Sequence, residues 1–231
     1  MDVTAVRTST SAASRIARGS LIIAVGYLLI SVGRPLLLLA FGQADDGDFL
    51  TPAVAASIAS QVAGVFVAVV FCGIAIGVLI VRSGLRLGAG PSVARSTWTD
   101  VALGGATIAA TGYVLVAATG RVMLSGFTAA LAETGADDAA QIAALHMGNV
   151  VAGAAAVMSG IGVVTLLAAL ATIGRRAGSL GGITAVVLWV ACGILLCGFV
   201  GLAFLPVQFA VPIVFLAVGI VAARRARSAQ A

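Results

Sequence analysis

Long runs of apolar residues, separated by short polar segments, dominate the chain. A helix needs about 20 apolar residues to cross the roughly 30 Å hydrocarbon core of a bilayer. Runs of approximately this length or longer lie at 21–41, 53–81, 101–118, 147–173, 183–203 and 207–223. Because only helices and closed barrels satisfy the backbone in lipid, runs this long predict helices. The pattern therefore predicts an all-α fold, in which residues 1–231 form one polytopic transmembrane bundle of six helices.

The last two apolar runs are almost continuous, and only a short segment between them predicts two helices rather than one. Pro206 and Gln208 lie between them. Two helices joined by a tight turn match the thickness of a bilayer better than one very long helix. We therefore predict a break near Pro206.

The composition supports a membrane protein. Hydrophobic residues make up 61% of the 231 residues and charged residues only 9%. A soluble domain has about 45–50% apolar and about 25% charged residues, and a disordered chain is much less hydrophobic. These values exclude an ordinary soluble domain and a disordered chain.

The arginines predict the orientation. All thirteen basic residues are arginine, and all but Arg34 and Arg121 fall on one side of a six-span arrangement. Acidic residues collect in the loops on the other side, at 45–48 and 133–138. Because basic loops stay in the cytoplasm, both termini are predicted to be cytoplasmic, in a multi-pass protein of the cell membrane.

Small and polar residues at helical spacing predict the packing faces of the helices. Such faces include Gly104, Thr107 and Thr111 on the third run, and His146, Asn149, Gly153, Ala156 and Gly160 on the fourth. The same faces could join copies of the chain, so the predicted partners are membrane lipid and a second copy in a homo-oligomer. The basic residues flank apolar runs, which favours membrane topology over nucleic-acid binding.

The segment between the third and fourth runs is longer than a turn requires. Met123, Phe127 and Leu131 recur at four-residue spacing and predict an interfacial amphipathic helix. We expect it to end at Thr134-Gly135, and Asp137 or Asp138 to cap the next helix. Two interpretations stay open: a surface connector, or a lid over an outward-facing cavity.

Arg34 is a charge inside the first predicted span, roughly 10 Å below its outer end. The residue that follows, Pro35, predicts a kink in the helix. Arg34 either pairs with a loop carboxylate, extends unpaired toward the boundary, or belongs to a ligand-binding site or an ion path. The sharpest hypothesis is a ligand-binding site at which Arg34, Gln61, His146 and Asn149 converge on an outward-facing polar pocket. The alternative for His146 is an interfacial histidine near water.

Catalytic chemistry is not apparent in the sequence. The chain has one histidine, and its acidic residues lie outside or at the ends of the predicted spans. It lacks the spacings typical of metal sites and nucleotide-binding loops. We predict no catalytic residues, no metal site and no cofactor.

Three stretches resemble an uncharacterised six-span family of bacterial integral membrane proteins. They are SRIARG at 14–19, LHMG at 145–148, and Arg175-Arg176 followed by Leu180-Gly181. That family has no assigned activity, so the resemblance implies architecture and location only. The predicted function is a non-enzymatic integral membrane protein that binds a small molecule or lipid in the outward-facing polar pocket. The alternative is a small-solute transporter.

Overall fold

The chain is all-helical in a computed structural model, which describes residues 3–41, 57–88, 97–119, 121–176, 180–200 and 204–228. No strand occurs among these residues. The elements in chain order are α1 (Val3–Leu28), a π-helical turn (Leu29–Gly33), α2 (Arg34–Ala40), α3 (Ile58–Gly88), α4 (Thr97–Thr119), α5 (Arg121–Glu133), α6 (Asp138–Arg176), α7 (Gly182–Val200) and α8 (Phe204–Ser228).

Four stretches of helix are long and apolar enough to cross a membrane, which is typical of a membrane protein. They are Thr10–Ala40, Ile58–Gly88, Thr99–Thr119 and Asp138–Arg175. Within α7, the part Gly182–Leu196 is also apolar but shorter. The all-α prediction is confirmed.

The long helices form a closed circle, with consecutive helices packed side by side. Helix α1 packs on α3, followed by α4, α6, α7 and α8, and α8 returns to α1. The short helix α5 lies against α3, α4 and α6. Leu166, Ile74, Phe215 and Leu195 are among the fully buried side chains of the core. This arrangement leaves α5 at one end of the bundle.

Glycines allow the closest contacts between helices. A methyl group added at Gly162 of α6 would overlap the backbone N and Cα of Ala109 on α4. A methyl group at Gly19 of α1 would lie 2.5 Å from the carbonyl oxygen of Gly77 on α3. Only residues without a Cβ permit these separations, as in small-residue contacts between membrane helices.

The predicted packing face of α4 is wrong, and the predicted face of α6 is wrong in its first half, whereas Gly160 at its end is buried. Gly104 and Gly153 have no heavy atom within 4 Å of an added Cβ, and Thr107 is exposed. The Thr107 hydroxyl instead donates to the carbonyl of Leu103 in its own helix, at 2.8 Å. The contact between α4 and α6 is one residue out of phase with the prediction. It uses Gly105, Ala109 and Gly112 against Ser159, Gly162 and Thr165.

Pro35 is accommodated by the π-helical turn that precedes it. Proline has no N–H and its ring clashes with the carbonyl four residues earlier, here that of Ser31. The backbone N–H of Arg34 donates to Leu29, five residues earlier, which is the wider π pattern. The helix continues to Ala40. The structure thus shows a π turn before Pro35, and a bend of the helix axis there stays a prediction.

The break between the last two helices lies slightly earlier than predicted. Helix α7 ends at Val200 and α8 begins at Phe204. Pro206 therefore falls in the first turn of α8, where a missing N–H costs no intrahelical bond.

Candidate functional site

A helical hairpin, formed by α5 and the start of α6, stands at one end of the bundle. Helix α5 ends where Gly135 adopts a positive φ of 75°. The N–H of Ala136 donates to the carbonyl of Leu131 at 3.1 Å, and that of Gly135 donates to Ala132 at 3.1 Å. This pair of bonds is the Schellman motif that ends many helices at glycine. The predicted helix and its end at Thr134-Gly135 are confirmed, and its interfacial position stays a prediction.

The start of α6 is fixed by a side-chain cap. The backbone N–H of Ala140 donates to Oδ1 of Asp137 at 2.8 Å, which makes Asp137 the N-cap. Nε2 of the buried Gln141 donates to the carbonyl of Ala136 at 3.0 Å. Of the two predicted capping residues, the structure selects Asp137. These bonds hold the short connection between α5 and α6 in one conformation.

A partly open cavity of about 610 Å³ lies between α5 and α6 and reaches the end of α4. This volume falls within the usual range of about 300–1,000 Å³ for sites that bind small molecules. The lining residues are Thr119, Phe127, Leu131, Ala140, Ala143, Ala144, Met147, Gly148 and Val151. Nearly all are apolar, and the Thr119 hydroxyl already donates to the carbonyl of Leu115 at 2.7 Å. The cavity therefore suits an apolar group.

The length of α6 sets the height of the cavity above the opposite end of the bundle, which can be compared with the thickness of a bilayer. Taking Arg175 as the opposite boundary, Val151 lies about 36 Å away along the axis, Met147 about 42 Å and Ala140 about 52 Å. The hydrocarbon core is about 30 Å thick, or about 40–45 Å with the headgroup layers. The cavity thus begins near the edge of the hydrocarbon core at Val151 and extends through the headgroup layer to the water side at Ala140.

Of the predicted site residues, Arg34 and Gln61 belong to neighbouring elements. Arg34 begins α2 and is half-buried, and Gln61 is exposed on the first turn of α3. Helix α2 packs on α3, and Gly33 lies against Phe66. Neither Arg34 nor Gln61 lines the apolar cavity.

His146 and Asn149 are exposed on α6 and do not line the cavity either. The lining residues of α6 recur every three or four positions, so they share one face. At about 100° per residue, Asn149 points roughly away from that face. The polar pocket of Arg34, Gln61, His146 and Asn149 stays a prediction, and the apolar cavity is a separate site.

An aromatic cluster in the bundle interior joins three helices. The hydroxyls of Tyr27 on α1 and Tyr113 on α4 lie 2.5 Å apart and share a hydrogen bond. Their rings meet edge to face at 6.2 Å, and Phe71 of α3 stacks on Tyr113 at 5.9 Å. The pair lets the hydroxyl of the buried Tyr113 and that of the half-buried Tyr27 satisfy each other.

Sequence reasoning missed most of this geometry. Nothing in the sequence marks Tyr113 as the partner of Tyr27. Of the residues in the predicted amphipathic pattern, Phe127 and Leu131 line the cavity. The side chain of Met123, the third member of that pattern, is not among the side chains that the structure describes. Among the residues the structure describes, no group of three or more histidine, cysteine or acidic side chains could hold a metal ion.

No family model, curated protein or solved structure matches this chain. The resemblance to a six-span bacterial family therefore stays a prediction. The assignment of function rests on the cavity and its surroundings.

Proposed function

We propose that this chain is a six-span protein of the cell membrane, with both termini in the cytoplasm, that binds the acyl chain of a lipid in the cavity between α5 and α6. The observation that carries the proposal is the apolar lining of a 610 Å³ cavity at a bilayer boundary. Burial of apolar surface drives binding at such a site, at about 25 cal/mol for each Å².

The position of the cavity favours a lipid over a water-soluble ligand. Thr119 is the last residue of α4 and Val151 lies near the outer edge of the hydrocarbon core. The acyl chain of a phospholipid in the adjacent leaflet reaches the membrane-side end of the cavity, at Val151. The part of the chain closest to the headgroup can enter the cavity without leaving the membrane.

The walls of the cavity are held by local structure, which favours a preformed site. The Schellman motif at Gly135 and the cap at Asp137 fix the direction of α5 relative to α6. Phe127 and Leu131 on α5 face Met147 and Val151 on α6 across the cavity. A preformed site binds more tightly because less conformational entropy is lost.

Small-solute transport, the alternative function, has less support. A transported polar solute needs a polar path through the bundle. The described core is built mainly from apolar side chains around the Tyr27–Tyr113 pair, and the buried Ser20, Ser60 and Ser159 lie on three different helices. We retain lipid binding as the function that the geometry favours.

The test is retention of a zwitterionic phospholipid by the purified full-length protein. After removal of bound lipid in detergent, dioleoyl phosphatidylcholine is added, and complexes are counted by native mass spectrometry. The Ala144→Trp variant fills the cavity with a large side chain. We expect it to bind phosphatidylcholine at least tenfold more weakly than the wild type.

The matched control is Ile142→Trp, which adds an indole to an exposed, non-lining position of the same helix. It should bind phosphatidylcholine like the wild type. Equal binding by the wild type and Ala144→Trp would overturn the proposal. A wild type that loses monomers in favour of dimers, with no lipid bound, would instead make the cavity an interface between copies.

A further inference from the structure

A second site is formed at the opposite end of the bundle, where α1 and α3 cross. We call Arg15, Arg18, Arg82, Arg86 and Ser83 the basic cluster. Nη1 of Arg15 donates to Oγ of Ser83 across the two helices at 3.4 Å. The helices are in direct contact here, because a methyl group at Gly84 would lie 3.0 Å from the carbonyl oxygen of Ala12.

The charge of the basic cluster is uncompensated within the part of the chain that the structure describes. Asp100, at the start of α4, is the acidic residue that the described ranges place at this end, and it is exposed. No ion pair joins it to an arginine of the cluster among those residues. Arg15 meets Ser83, the neighbour of Arg82, and Arg18 and Arg86 lie about one turn away on their own helices, so positive charge is concentrated here.

Arg82 supplies the observation that points to a ligand. Its Nε atom is buried and has no hydrogen-bond partner among the described residues. A buried charged donor without an acceptor is costly, so an acceptor from outside the chain is expected. Arginine N–H groups match phosphate oxygens in pairs, which makes a phosphate the best fit.

The source of that phosphate follows from the position of the basic cluster. Arg18 is followed at Gly19 by apolar sequence, and Arg82 follows the apolar run that ends at Val81. Both arginines thus stand at an edge of the hydrocarbon core, at the depth of phospholipid headgroups. Basic clusters at this position favour anionic lipids.

We propose that the basic cluster binds the headgroup phosphate of an anionic phospholipid in the adjacent leaflet. The Arg15–Ser83 contact orients one guanidinium group, and Arg82 Nε donates to a phosphate oxygen. This site requires only that the chain spans a bilayer. It does not depend on the cavity between α5 and α6, which lies at the other end of the molecule.

The test compares dioctanoyl phosphatidylglycerol with dioctanoyl phosphatidylcholine as ligands of the purified full-length protein in detergent micelles. The Arg15→Gln/Arg82→Gln double variant removes two charges from the cluster. Arg224→Gln/Arg227→Gln is the matched control, because it removes two exposed charges on α8 at the same end. At about fivefold for each arginine, we expect the first variant to bind phosphatidylglycerol about 25-fold more weakly. The control should change affinity by less than about threefold.

Two further measurements keep the outcome interpretable. Arg82→Lys retains the charge and lacks the Nε donor, so it should bind phosphatidylglycerol more weakly than the wild type but unfold at the same temperature. Equal losses in both double variants would mean diffuse attraction and would overturn the site. Inorganic phosphate that binds as tightly as phosphatidylglycerol, with the same dependence on Arg15 and Arg82, would overturn the lipid as its occupant. Whichever of these results is obtained for phosphatidylglycerol, the arginine variants should leave phosphatidylcholine binding at the cavity unchanged.

Discussion

The hydrogen bond between Tyr27 and Tyr113 predicts that replacing both tyrosines lowers the stability of the protein less than replacing one. Replacing either tyrosine with phenylalanine removes one hydroxyl and leaves the other without its partner. In Tyr27→Phe the hydroxyl left without a partner is that of Tyr113, which is 1% exposed, so water does not reach it. Replacing both keeps the two aromatic rings and leaves no hydroxyl unsatisfied. The double variant is therefore expected to be more stable than either single variant.

The magnitude follows from the environment of the pair. A side-chain hydrogen bond between membrane helices is worth about 0.6 kcal/mol on average and about 1.7 at most. A buried group left without a partner costs about 1–3 kcal/mol. We expect Tyr27→Phe and Tyr113→Phe each to lower the free energy of unfolding by about 1–2 kcal/mol. The double variant should lie within about 0.5 kcal/mol of the wild type, because the stack of Phe71 on the ring at 113 remains.

The assay is reversible unfolding in mixed micelles, with circular dichroism followed as the fraction of dodecyl sulfate rises. The four proteins form a double-mutant cycle. Tyr113→Leu serves as a control, because it also removes the ring and should destabilise more than Tyr113→Phe. A double variant whose loss equals the sum of the single losses would show that the hydroxyls do not depend on each other. That result would refute the interior hydrogen bond.

Two other contacts give predictions of similar size. Gly162→Val should lower the free energy of unfolding by about 1–3 kcal/mol, because the valine side chain overlaps the backbone of α4. Gly153→Val, in open space on the same helix, should lower it much less in the same dodecyl sulfate titration. Equal losses in the two variants would contradict the assigned packing face. Asp137→Ala should cost about 1 kcal/mol and speed amide hydrogen exchange in the first turn of α6, because it removes the cap. Asp138→Ala should lower the free energy of unfolding less than Asp137→Ala. A larger loss in Asp138→Ala would show that Asp138 caps the helix.

Features that depend on nearby residues could be predicted from the sequence. The apolar runs predicted the helices because burial in lipid requires length and hydrophobicity alone. The end of α5 at Thr134-Gly135 and the cap at Asp137 followed from turn and capping chemistry, in which the partners are three to five residues apart. The sequence and the structure agree on these local features.

Contacts between distant segments could not be predicted in the same way. Glycine and alanine occur on several faces of α4 and α6, so spacing alone could not separate Gly104 from Gly105. Tyr27 and Tyr113 are 86 positions apart. The cavity is lined by ordinary apolar residues, which carry no chemical signal in a chain that is 61% hydrophobic. The predicted site was built from polar residues, whereas the cavity in the structure is lined by apolar ones.

The most direct test of the proposed function is to locate the bound acyl chain. The full-length protein is reconstituted with a phosphatidylcholine that carries a photoreactive diazirine on its acyl chain, and labelled peptides are mapped after illumination. The account predicts labelling concentrated on the cavity faces of 127–131 and 140–151, well above that of the exposed apolar face of α7 at Ile183, Val186 and Val190. Equal labelling of all lipid-exposed faces would contradict a specific site between α5 and α6.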